Sequence, residues 1–285
     1  MKKVALVTGA SSGIGEASVL RLLAEGFTVY AAARRVEKMQ PLAAAGAKVL
    51  ALDVTDDASI VAGVESIVSE SGRIDVLLNN AGYGAYGALE DVPMSEARRQ
   101  VEVNLFGLAR LIQLVTPTMR AQRSGIIFNV SSIGGKIHEP FGAWYHATKF
   151  AVEGLSDCLR MELAEFGIHV VVIEPGAIKT EWSGIASGSL LETSGGTAYG
   201  SAARRHAAML GGADESSSDP MVIADVVIEA LRAKRPRTRY SAGMGAKPIL
   251  FLRWLLSDRA FDAMMRMTER MMASKAASKA ASKAA

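Results

Sequence analysis

The sequence predicts a single α/β domain of three layers, in which helices cover both faces of a doubly wound parallel sheet, with a helical extension at the C-terminus. Two observations support this prediction. Short apolar runs alternate with segments of helical periodicity through about the first 180 residues. The runs are also continuously apolar, as at Val170-Val171-Val172-Ile173, instead of alternating with polar residues. Such strands are buried on both faces, which is typical of parallel sheets between two helical layers.

The predicted elements follow one another along the chain as strand and helix. Each strand is an apolar run bounded by polar or glycine residues, and each helix has apolar residues three and four positions apart. The predicted strands are residues 3–8, 28–33, 48–53, 76–79, 126–130 and 169–173, with a last short strand at 239–241. The predicted helices are residues 15–25, 36–44, 57–71, 95–122, 144–166 and 222–233. Repeated strand–helix–strand units with right-handed crossovers give a sheet of the Rossmann type.

The segment at residues 183–219 departs from this pattern, because it is rich in Gly, Ser and Ala. In a sheet of this type it falls beyond the carboxyl ends of the strands, where ligands bind. We therefore expect a mobile loop with helical pieces that covers a substrate. A plain surface loop is the alternative interpretation.

Two further segments make up the C-terminal end of the chain. Residues 248–272 are mainly apolar with arginines at near-helical spacing. Such a segment can cover a substrate entrance, join subunits or rest on a membrane surface. Residues 273–285 are of low complexity and repeat Ser-Lys-Ala-Ala, with lysines four residues apart. Because like charges at this spacing disfavour an isolated helix, we expect a frayed, solvated tail.

Composition and charge exclude several classes of protein. The net charge is +3, but residues 232–285 hold 13 Lys and Arg against 3 Asp and Glu, and the remainder holds 19 against 26. A mildly acidic body and a few lysines without aromatic residues argue against a nucleic-acid partner. The single cysteine, Cys158, excludes an internal disulfide, and we expect it to be a buried thiol in a helix. Without a secretory leader or a spanning apolar run, the chain is expected to be cytoplasmic.

A glycine-rich turn, Gly9-Ala10-Ser11-Ser12-Gly13-Ile14-Gly15, follows the first predicted strand. Glycine lets the backbone turn tightly and approach a pyrophosphate, and the N-terminus of the next helix offers free N–H groups and a partial positive charge. Glycine clusters alone often do no more than make turns. The position between a strand and a helix is, however, that of a dinucleotide site. We therefore expect this turn to bind the phosphates of a cofactor.

The end of the second predicted strand indicates which dinucleotide binds. A site for NAD(H) usually places an acidic residue there to bind the 2′-hydroxyl of the ribose. This chain has Arg34 and Arg35 instead. Guanidinium groups can bind a 2′-phosphate through charge-assisted hydrogen bonds, whereas an acid would repel it. The sequence thus predicts NADP(H) rather than NAD(H), on these two arginines alone; a solvated helix start is the other interpretation.

Tyr145 and Lys149 lie four residues apart and so share one face of a predicted helix. A free tyrosine has a pKa near 10. A neighbouring ammonium group and an oxidised nicotinamide would both favour the phenolate. Ser132 follows the strand at 126–130, where its hydroxyl can bind a carbonyl oxygen. Together with the glycine turn, these residues predict hydride transfer between a nicotinamide and a carbonyl or alcohol carbon. The four histidines have no metal-ligand spacing; His138 is a candidate for the substrate pocket and His146 for packing.

These motifs, in this order, resemble those of the short-chain dehydrogenase/reductase superfamily in its single-domain form. The resemblance covers about residues 3–180 and includes several further matches. The matching residues are Asp53 and Val54 at the end of the third strand, Asn80, Ala81 and Gly82 after the fourth, Asn104 in the long helix, and Pro175, Gly176, Ile178 and Thr180 after the sixth strand. The resemblance implies that the first pair contacts adenine and that the last segment clasps the nicotinamide. It also implies that residues 1–247 form the catalytic, NADP(H)-binding domain.

The resemblance also implies a role for each member of a catalytic tetrad. Tyr145 exchanges a proton with the substrate oxygen, and Ser132 polarises and positions that oxygen. Lys149 holds the nicotinamide ribose and lowers the pKa of the tyrosine, and Asn104 holds a water that links Lys149 to solvent. The apolar extension is similar to that of hydroxysteroid and retinol dehydrogenases, which implies a hydrophobic substrate. The family further implies a homodimer or homotetramer.

Two other functions remain open on the sequence. A catalytically silent NADP(H)-binding sensor or scaffold would need a broken tetrad, and all four residues are present. A sugar-nucleotide epimerase or dehydratase of the longer related group would usually have a different glycine spacing and a larger substrate domain.

Overall fold

The computed structural model describes residues 2–212 and 217–284, and the side chains of these residues except those of 212 and 272–284. Seven strands form one sheet, with every neighbouring pair parallel. The strands are β1 (Val4–Thr8), β2 (Thr28–Ala33), β3 (Lys48–Ala51), β4 (Val76–Asn79), β5 (Gly125–Val130), β6 (Ile168–Pro175) and β7 (Arg239–Ala242). Their order is β3-β2-β1-β4-β5-β6-β7. The predicted doubly wound, Rossmann-type sheet is confirmed.

Helices lie on both faces of the sheet. They are α1 (Gly13–Ala24), α2 (Gln40–Ala44), α3 (Asp57–Ser71), α4 (Met94–Val101), α5 (Gly107–Gln122), α6 (Ala143–Leu163), α7 (Trp182–Ser194), α8 (Gly200–Gly212), α9 (Met221–Arg232), α10 (Ala246–Leu255) and α11 (Asp258–Ala284). Single 3₁₀ turns occur at Val36–Met39, Ile133–Gly135 and Ala164–Phe166, and a π-helical turn at Glu102–Phe106. No described helix is both long and apolar enough to cross a membrane.

The core consists of two layers, one on each face of the sheet. On β1, Val7 belongs to the layer under α1 and α9, whereas its neighbour Leu6 belongs to the layer under α3, α5 and α6. Successive side chains of a strand point to opposite faces. Both faces are covered, so each strand must be apolar at every position. This accounts for the unbroken apolar runs in the sequence.

The long helix predicted at residues 95–122 is confirmed in extent, because α4, the π-helical turn and α5 follow one another without a break; the turn itself was not predicted. A π turn inserts one residue into a helix. Gly107 follows the turn at the start of α5. A Cβ atom there would lie 2.2 Å from the carbonyl oxygen of Val54. Glycine at this position lets α5 approach the segment after β3, which belongs to the cofactor edge of the sheet.

The segment beyond β6 is more helical than the sequence predicts. Most of residues 183–219 lie in α7 and α8, which pack against each other, and residues 213–216 lie outside the described part of the chain. The predicted frayed tail is also wrong for the backbone, because α11 continues to Ala284. Alanine and lysine are good helix formers, and a helix that is already nucleated extends at little cost. Cys158 on α6 is exposed, so the expectation of a buried thiol is wrong as well.

Candidate active site

The glycine turn between β1 and α1 is a tight cradle of backbone. Gly9 has a φ of +64°, which side chains other than glycine rarely adopt, and a Cβ there would lie 2.8 Å from Nδ2 of Asn80. A Cβ on Gly15 would lie 2.3 Å from the carbonyl oxygen of Gly9. The turn therefore leaves no room for side chains on its inner side. Six of its residues were predicted to bind phosphates, and all but Gly15 line the cavity at this edge: Gly9, Ser11, Ser12, Gly13 and Ile14.

The segment after β4 is bonded to this turn. The side-chain amide of Asn80 donates hydrogen bonds to the carbonyl oxygens of Thr8 (3.0 Å) and Gly9 (3.2 Å). In return, the hydroxyl of Thr8 accepts from the backbone N–H groups of Asn80 (3.1 Å) and Ala81 (3.2 Å). β1 and β4 are the strands at which the chain reverses its direction of winding, and ligands bind at such a point. These bonds hold Asn80 and Ala81 beside the glycine turn, and Gly82 follows them.

A basic cluster lies beside the turn, but its composition differs from the prediction. The guanidinium of Arg35 donates to the hydroxyls of Ser11 (3.1 Å) and Ser12 (3.1 Å) and to the carboxylate of Glu181 (2.8 Å). Lys38 donates to the other oxygen of Glu181 at 2.8 Å. Bonds from Lys38 and then from Arg35 lower the pKa of Glu181 to about 2. The cluster thus binds an anionic group. The sequence predicts the 2′-phosphate at Arg34 and Arg35 and the other phosphates at the serines, and it misses Lys38 and Glu181.

Arg34 lies apart from this cluster. Its side chain is 60% exposed, and its nearest acidic partner is Asp53 at 4.0 Å. Asp53 is itself held locally, because its Oδ1 accepts from the backbone N–H (2.9 Å) and the hydroxyl (2.8 Å) of Thr55. Asp53 and Val54 line the same cavity as the glycine turn. The structure thus brings the predicted adenine-contacting pair to the cofactor edge, with Arg34 at its exposed rim.

Tyr145, Lys149 and Ser132 lie together at the carboxyl edge of the sheet. The ammonium group of Lys149 donates to the carbonyl oxygen of Val130 (2.9 Å) and lies 5.9 Å from the centre of the Tyr145 ring. The Ser132 hydroxyl accepts from the N–H of Gly134 at 3.0 Å and contacts the Tyr145 phenol. All three residues line the cavity.

Burial dominates the acid–base properties of this group. It lowers the pKa of Lys149 to about 8, against the charge of Glu153, which raises it. Burial also raises the pKa of Tyr145; the Ser132 hydroxyl opposes this rise and the Glu139 carboxylate adds to it. The Tyr145 pKa therefore lies above its ordinary value in the protein alone, whereas the resemblance implied that Lys149 lowers it.

Asn104 lies in the π-helical turn and braces the segment after β4. It is buried, accepts from the backbone N–H of Tyr83 (3.1 Å), and donates to the Tyr83 carbonyl (2.9 Å) and the Thr148 hydroxyl (3.1 Å). A Cβ on Gly82 would lie 3.2 Å from Oδ1 of Asn104 and 3.7 Å from Nζ of Lys149. Glycine at 82 thus allows Asn104 and Lys149 to approach from either side.

The segment after β6 closes the cofactor edge. Pro175, Gly176, Ile178 and Thr180, which the sequence predicted to clasp the nicotinamide, line the cavity. A Cβ on Gly13 would lie 2.8 Å from the Thr180 methyl group, so this segment touches the glycine turn. The two ends of the predicted cofactor site are therefore in direct contact.

Comparison with known proteins decides the family. The model of the short chain dehydrogenase family matches residues 3–187. The chain belongs to the short-chain dehydrogenase/reductase superfamily.

Three relatives illustrate the range of this family of oxidoreductases. The chain is 38% identical to the uncharacterized oxidoreductase YusZ of Bacillus subtilis, over 93% of the chain and 98% of that protein. It is 36% identical to 17-beta-hydroxysteroid dehydrogenase type 1 of Mus musculus, over 83% and 72%. It is 41% identical to a 3-ketodihydrosphingosine reductase of Bacteroides thetaiotaomicron, over 62% and 65%.

Solved structures of this superfamily match the fold and include nucleotide complexes. A short-chain dehydrogenase from Streptomyces avermitilis matches with a TM-score of 0.78 and 35% identity, covering 94% of this chain and 97% of that one. A metagenomic short-chain oxidoreductase in complex with NADP matches at 0.67 and 30%, covering 84% and 96%. A Burkholderia phymatum relative in complex with NAD matches at 0.73 and 25%, covering 84% and 88%. A nicotinamide nucleotide is therefore the cofactor of this class.

The substrate side of this short-chain dehydrogenase is a continuation of the same cavity, whose volume is about 1310 Å³. Tyr86, Glu139 and Trp182 line it next to Tyr145, and the Tyr145 ring lies 5.9 Å from Tyr86 and 5.2 Å from Trp182. No motif in the sequence predicted these residues, because they come from three separate segments. His146 also lines the cavity, whereas His138 is bonded to Asp262 of α11 at 2.8 Å and lies outside it. The expectation that His138 lines the substrate pocket is thus wrong, whereas His146 is buried against Gly134 and Tyr145, as expected for a packing role. Among the described residues, no cluster of acidic, histidine and cysteine side chains could hold a metal ion.

Proposed function

We propose that this protein is an NADP(H)-dependent oxidoreductase that interconverts a carbonyl and an alcohol, with Tyr145 as the general acid and base. The observation that carries the proposal is the position of Tyr145. Its phenol lies against the Ser132 hydroxyl, one helical turn from Lys149, in the cavity that the glycine turn also lines. A proton donor and a nucleotide cradle thus share one enclosed space.

The residues at this site each supply one part of the chemistry. NADPH, when bound, supplies the hydride. Ser132 donates to the substrate oxygen and orients it toward Tyr145, which releases its proton to that oxygen during reduction. Lys149 binds ribose hydroxyls and stabilises the phenolate that remains. Asn104 supports this proton transfer by holding the segment after β4 next to Lys149. Glycine at 9 and 15 lets the turn pack closely on itself and on Asn80, and the N-terminus of α1 that follows it offers N–H groups to a pyrophosphate.

The preference for NADP(H) rests on the basic cluster around Arg35. The guanidinium of Arg35 and the ammonium group of Lys38 already bind the carboxylate of Glu181. The hydroxyls of two serines lie beside them and are bonded to Arg35. These are the donors that a 2′-phosphate requires. We expect Arg35 to contribute more than Arg34, which is largely exposed and lies near Asp53.

We further propose a hydrophobic substrate, since two relatives are named for steroid and ketodihydrosphingosine activities and the substrate side has aromatic walls. We also propose that the enzyme works in the cytoplasm as a homodimer or homotetramer. Size-exclusion chromatography with light scattering tests the assembly.

The decisive experiment is an NADPH-oxidation assay with aliphatic, aromatic, steroid and acyl carbonyls. Tyr145→Phe should lower kcat by about 10²–10⁴-fold, the usual contribution of a general acid, and leave NADPH binding unchanged. Tyr240→Phe is the matched control, because this buried tyrosine on β7 lies outside the cavity lining. Turnover retained in Tyr145→Phe contradicts the proposal. Tight NADPH binding by the wild type without turnover of any carbonyl favours the silent sensor.

A further inference from the structure

Glu139 is a cavity-lining carboxylate beside Tyr86 and Tyr145 for which the proposed chemistry has no use. Glu139 lies in the loop before α6, and its side chain is only 16% exposed. Its Oε1 accepts a hydrogen bond from the phenol of Tyr86 at 2.6 Å. Within the described part of the chain, no hydrogen bond reaches its other oxygen, Oε2. Glu139 therefore has an acceptor available for a group that enters the cavity.

The surrounding protein does not neutralise this carboxylate. Within the described residues, the one basic side chain within 4.0 Å is His146, whose Nε2 is 3.9 Å from Oε1. The other ring nitrogen of His146 lies 2.8 Å from the carbonyl oxygen of Gly134. A carbonyl can only accept, so Nδ1 carries the proton, and in the neutral ring Nε2 is an acceptor as well. His206 stacks on Tyr86; burial lowers its pKa more than the charges of Glu139 and Glu269 raise it, which favours the neutral ring.

The position of Glu139 places it within reach of a reacting substrate. The phenol that binds it belongs to Tyr86, whose ring lies 5.9 Å from that of Tyr145. Much of the remaining wall on this side is apolar, with Val92, Ile137, Ile185, Leu210 and Met265. An uncompensated carboxylate in such surroundings is costly, because a buried charge needs a partner. It also opposes catalysis, since its charge raises the pKa of Tyr145.

We propose that Glu139 binds a protonated amine of the substrate, so that the preferred substrates are amino ketones, with the ammonium group close to the reacting carbonyl and an apolar chain beyond it. This inference rests on the proposed function and names its substrate class. The ammonium group donates to Oε2, and the apolar chain lies along the apolar wall. In the reaction, hydride adds to the carbonyl carbon and Tyr145 gives its proton to the oxygen. The amine is unchanged, and its charge offsets that of Glu139 beside the phenol. A hydroxyl can donate to the same oxygen but leaves the charge in place.

The test compares three ketones of equal chain length that differ at one carbon. The probes are 3-ketodihydrosphingosine, its analogue with a hydroxyl in place of the amine, and its analogue with hydrogen there. We expect kcat/KM to fall in that order, with the amino ketone at least about 30-fold above the analogue with hydrogen, the lower end for truncating a buried charge pair. Glu139→Gln should abolish this preference, because the amide keeps an acceptor for Tyr86 but has no charge. It should raise turnover of the analogue with hydrogen, because the charge that raises the pKa of Tyr145 is removed.

Glu192→Gln is the matched control, because Glu192 also lines the cavity but is exposed; it should keep the preference. Equal kcat/KM for all three ketones in the wild type overturns the inference and leaves the proposed function standing. The same holds if Glu139→Gln lowers all three rates alike with NADPH binding intact, since Glu139 would then only position Tyr86. No turnover of any ketone, including the wider carbonyl panel, contradicts the proposed function itself.

Discussion

Replacing Lys149 by methionine should stabilise the fold while it removes activity. Lys149 is buried, and burial lowers its pKa from 10.5 to about 8. At 1.36 kcal/mol for each pKa unit, this difference corresponds to about 3 kcal/mol that the folded protein loses by keeping the ammonium group charged. Methionine fills similar space without charge, but the hydrogen bond from Lys149 to the Val130 carbonyl is lost. That bond contributes about 1 kcal/mol. The net gain in the free energy of unfolding at neutral pH is therefore about 2 kcal/mol.

The pH dependence of this gain identifies its cause. Below about pH 8 the lysine is charged in the folded and the unfolded chain, so the folded wild type carries the full cost. Between about pH 8 and pH 10.5 the unfolded chain binds more protons than the folded chain, and wild-type stability rises with pH. The advantage of Lys149→Met should thus shrink from about 2 kcal/mol near pH 7 to less than about 1 kcal/mol near pH 9.5.

Urea unfolding of the wild type and the variant at the two pH values measures this difference. Subtracting the two free energies of unfolding at each pH removes the contribution of every group that titrates alike in both proteins. Lys247→Met, at an exposed position on α10, should show no such change with pH. A stability difference for Lys149→Met that stays constant between the two pH values would refute the reasoning, because the charge would then not be its source.

Two further predictions concern the cofactor edge. Arg35→Ala should raise the KM for NADPH by about 10- to 100-fold, because charge-assisted hydrogen bonds contribute about 1.5–3 kcal/mol, and should leave the KM for NADH almost unchanged. Glu181→Gln should lower the KM for NADPH, because it weakens the ion pairs of Arg35 and Lys38 with residue 181 that compete with the phosphate. Steady-state kinetics with both nucleotides measure these changes. Equal losses for NADPH and NADH in Arg35→Ala would exclude a phosphate-specific role. Gly107→Ala should lower the free energy of unfolding by at least about 2 kcal/mol, since its Cβ would lie 2.2 Å from the Val54 carbonyl. Urea unfolding with Gly154→Ala as control checks this, because nothing lies within 4 Å of a Cβ at Gly154.

The sheet could be predicted from the sequence because burial on both faces fixes its composition. Every residue of β1 is buried, so hydrophobicity alone indicates where such strands lie along the chain. The helices were harder to predict where tertiary contacts override the local conformational preference of the sequence. The glycines of residues 183–219 indicated a loop, yet α7 and α8 pack on each other and on the aromatic residues around Tyr145. The π-helical turn was not predicted either, because it is a single turn inside a helix that continues on both sides of it.

The cofactor side of the site was predictable for a different reason. Its residues come from short motifs at strand ends, and parallel strands bring their carboxyl ends to one edge. The missed residues have no such motif. Arg35 meets Glu181 across 146 positions of sequence, and Tyr86 meets Glu139 across 53. Such contacts depend on how loops from different crossovers pack, which local patterns do not encode.

Lys149 and Glu139 both serve the proposed function at a cost to the stability of the fold. Each is a charged side chain in a largely buried position, where an apolar residue of similar size would suit the fold better. The protein supports Lys149 indirectly, since Glu153 lies one helical turn away and is itself held by Lys136 (3.0 Å) and Arg239 (2.9 Å). Glu139 has the Tyr86 phenol but, among the side chains that the structure describes, no such cationic support. A charge that the fold leaves uncompensated at a reacting centre is best explained by a ligand that brings the opposite charge, and this is the reason to test amino ketones before neutral ones.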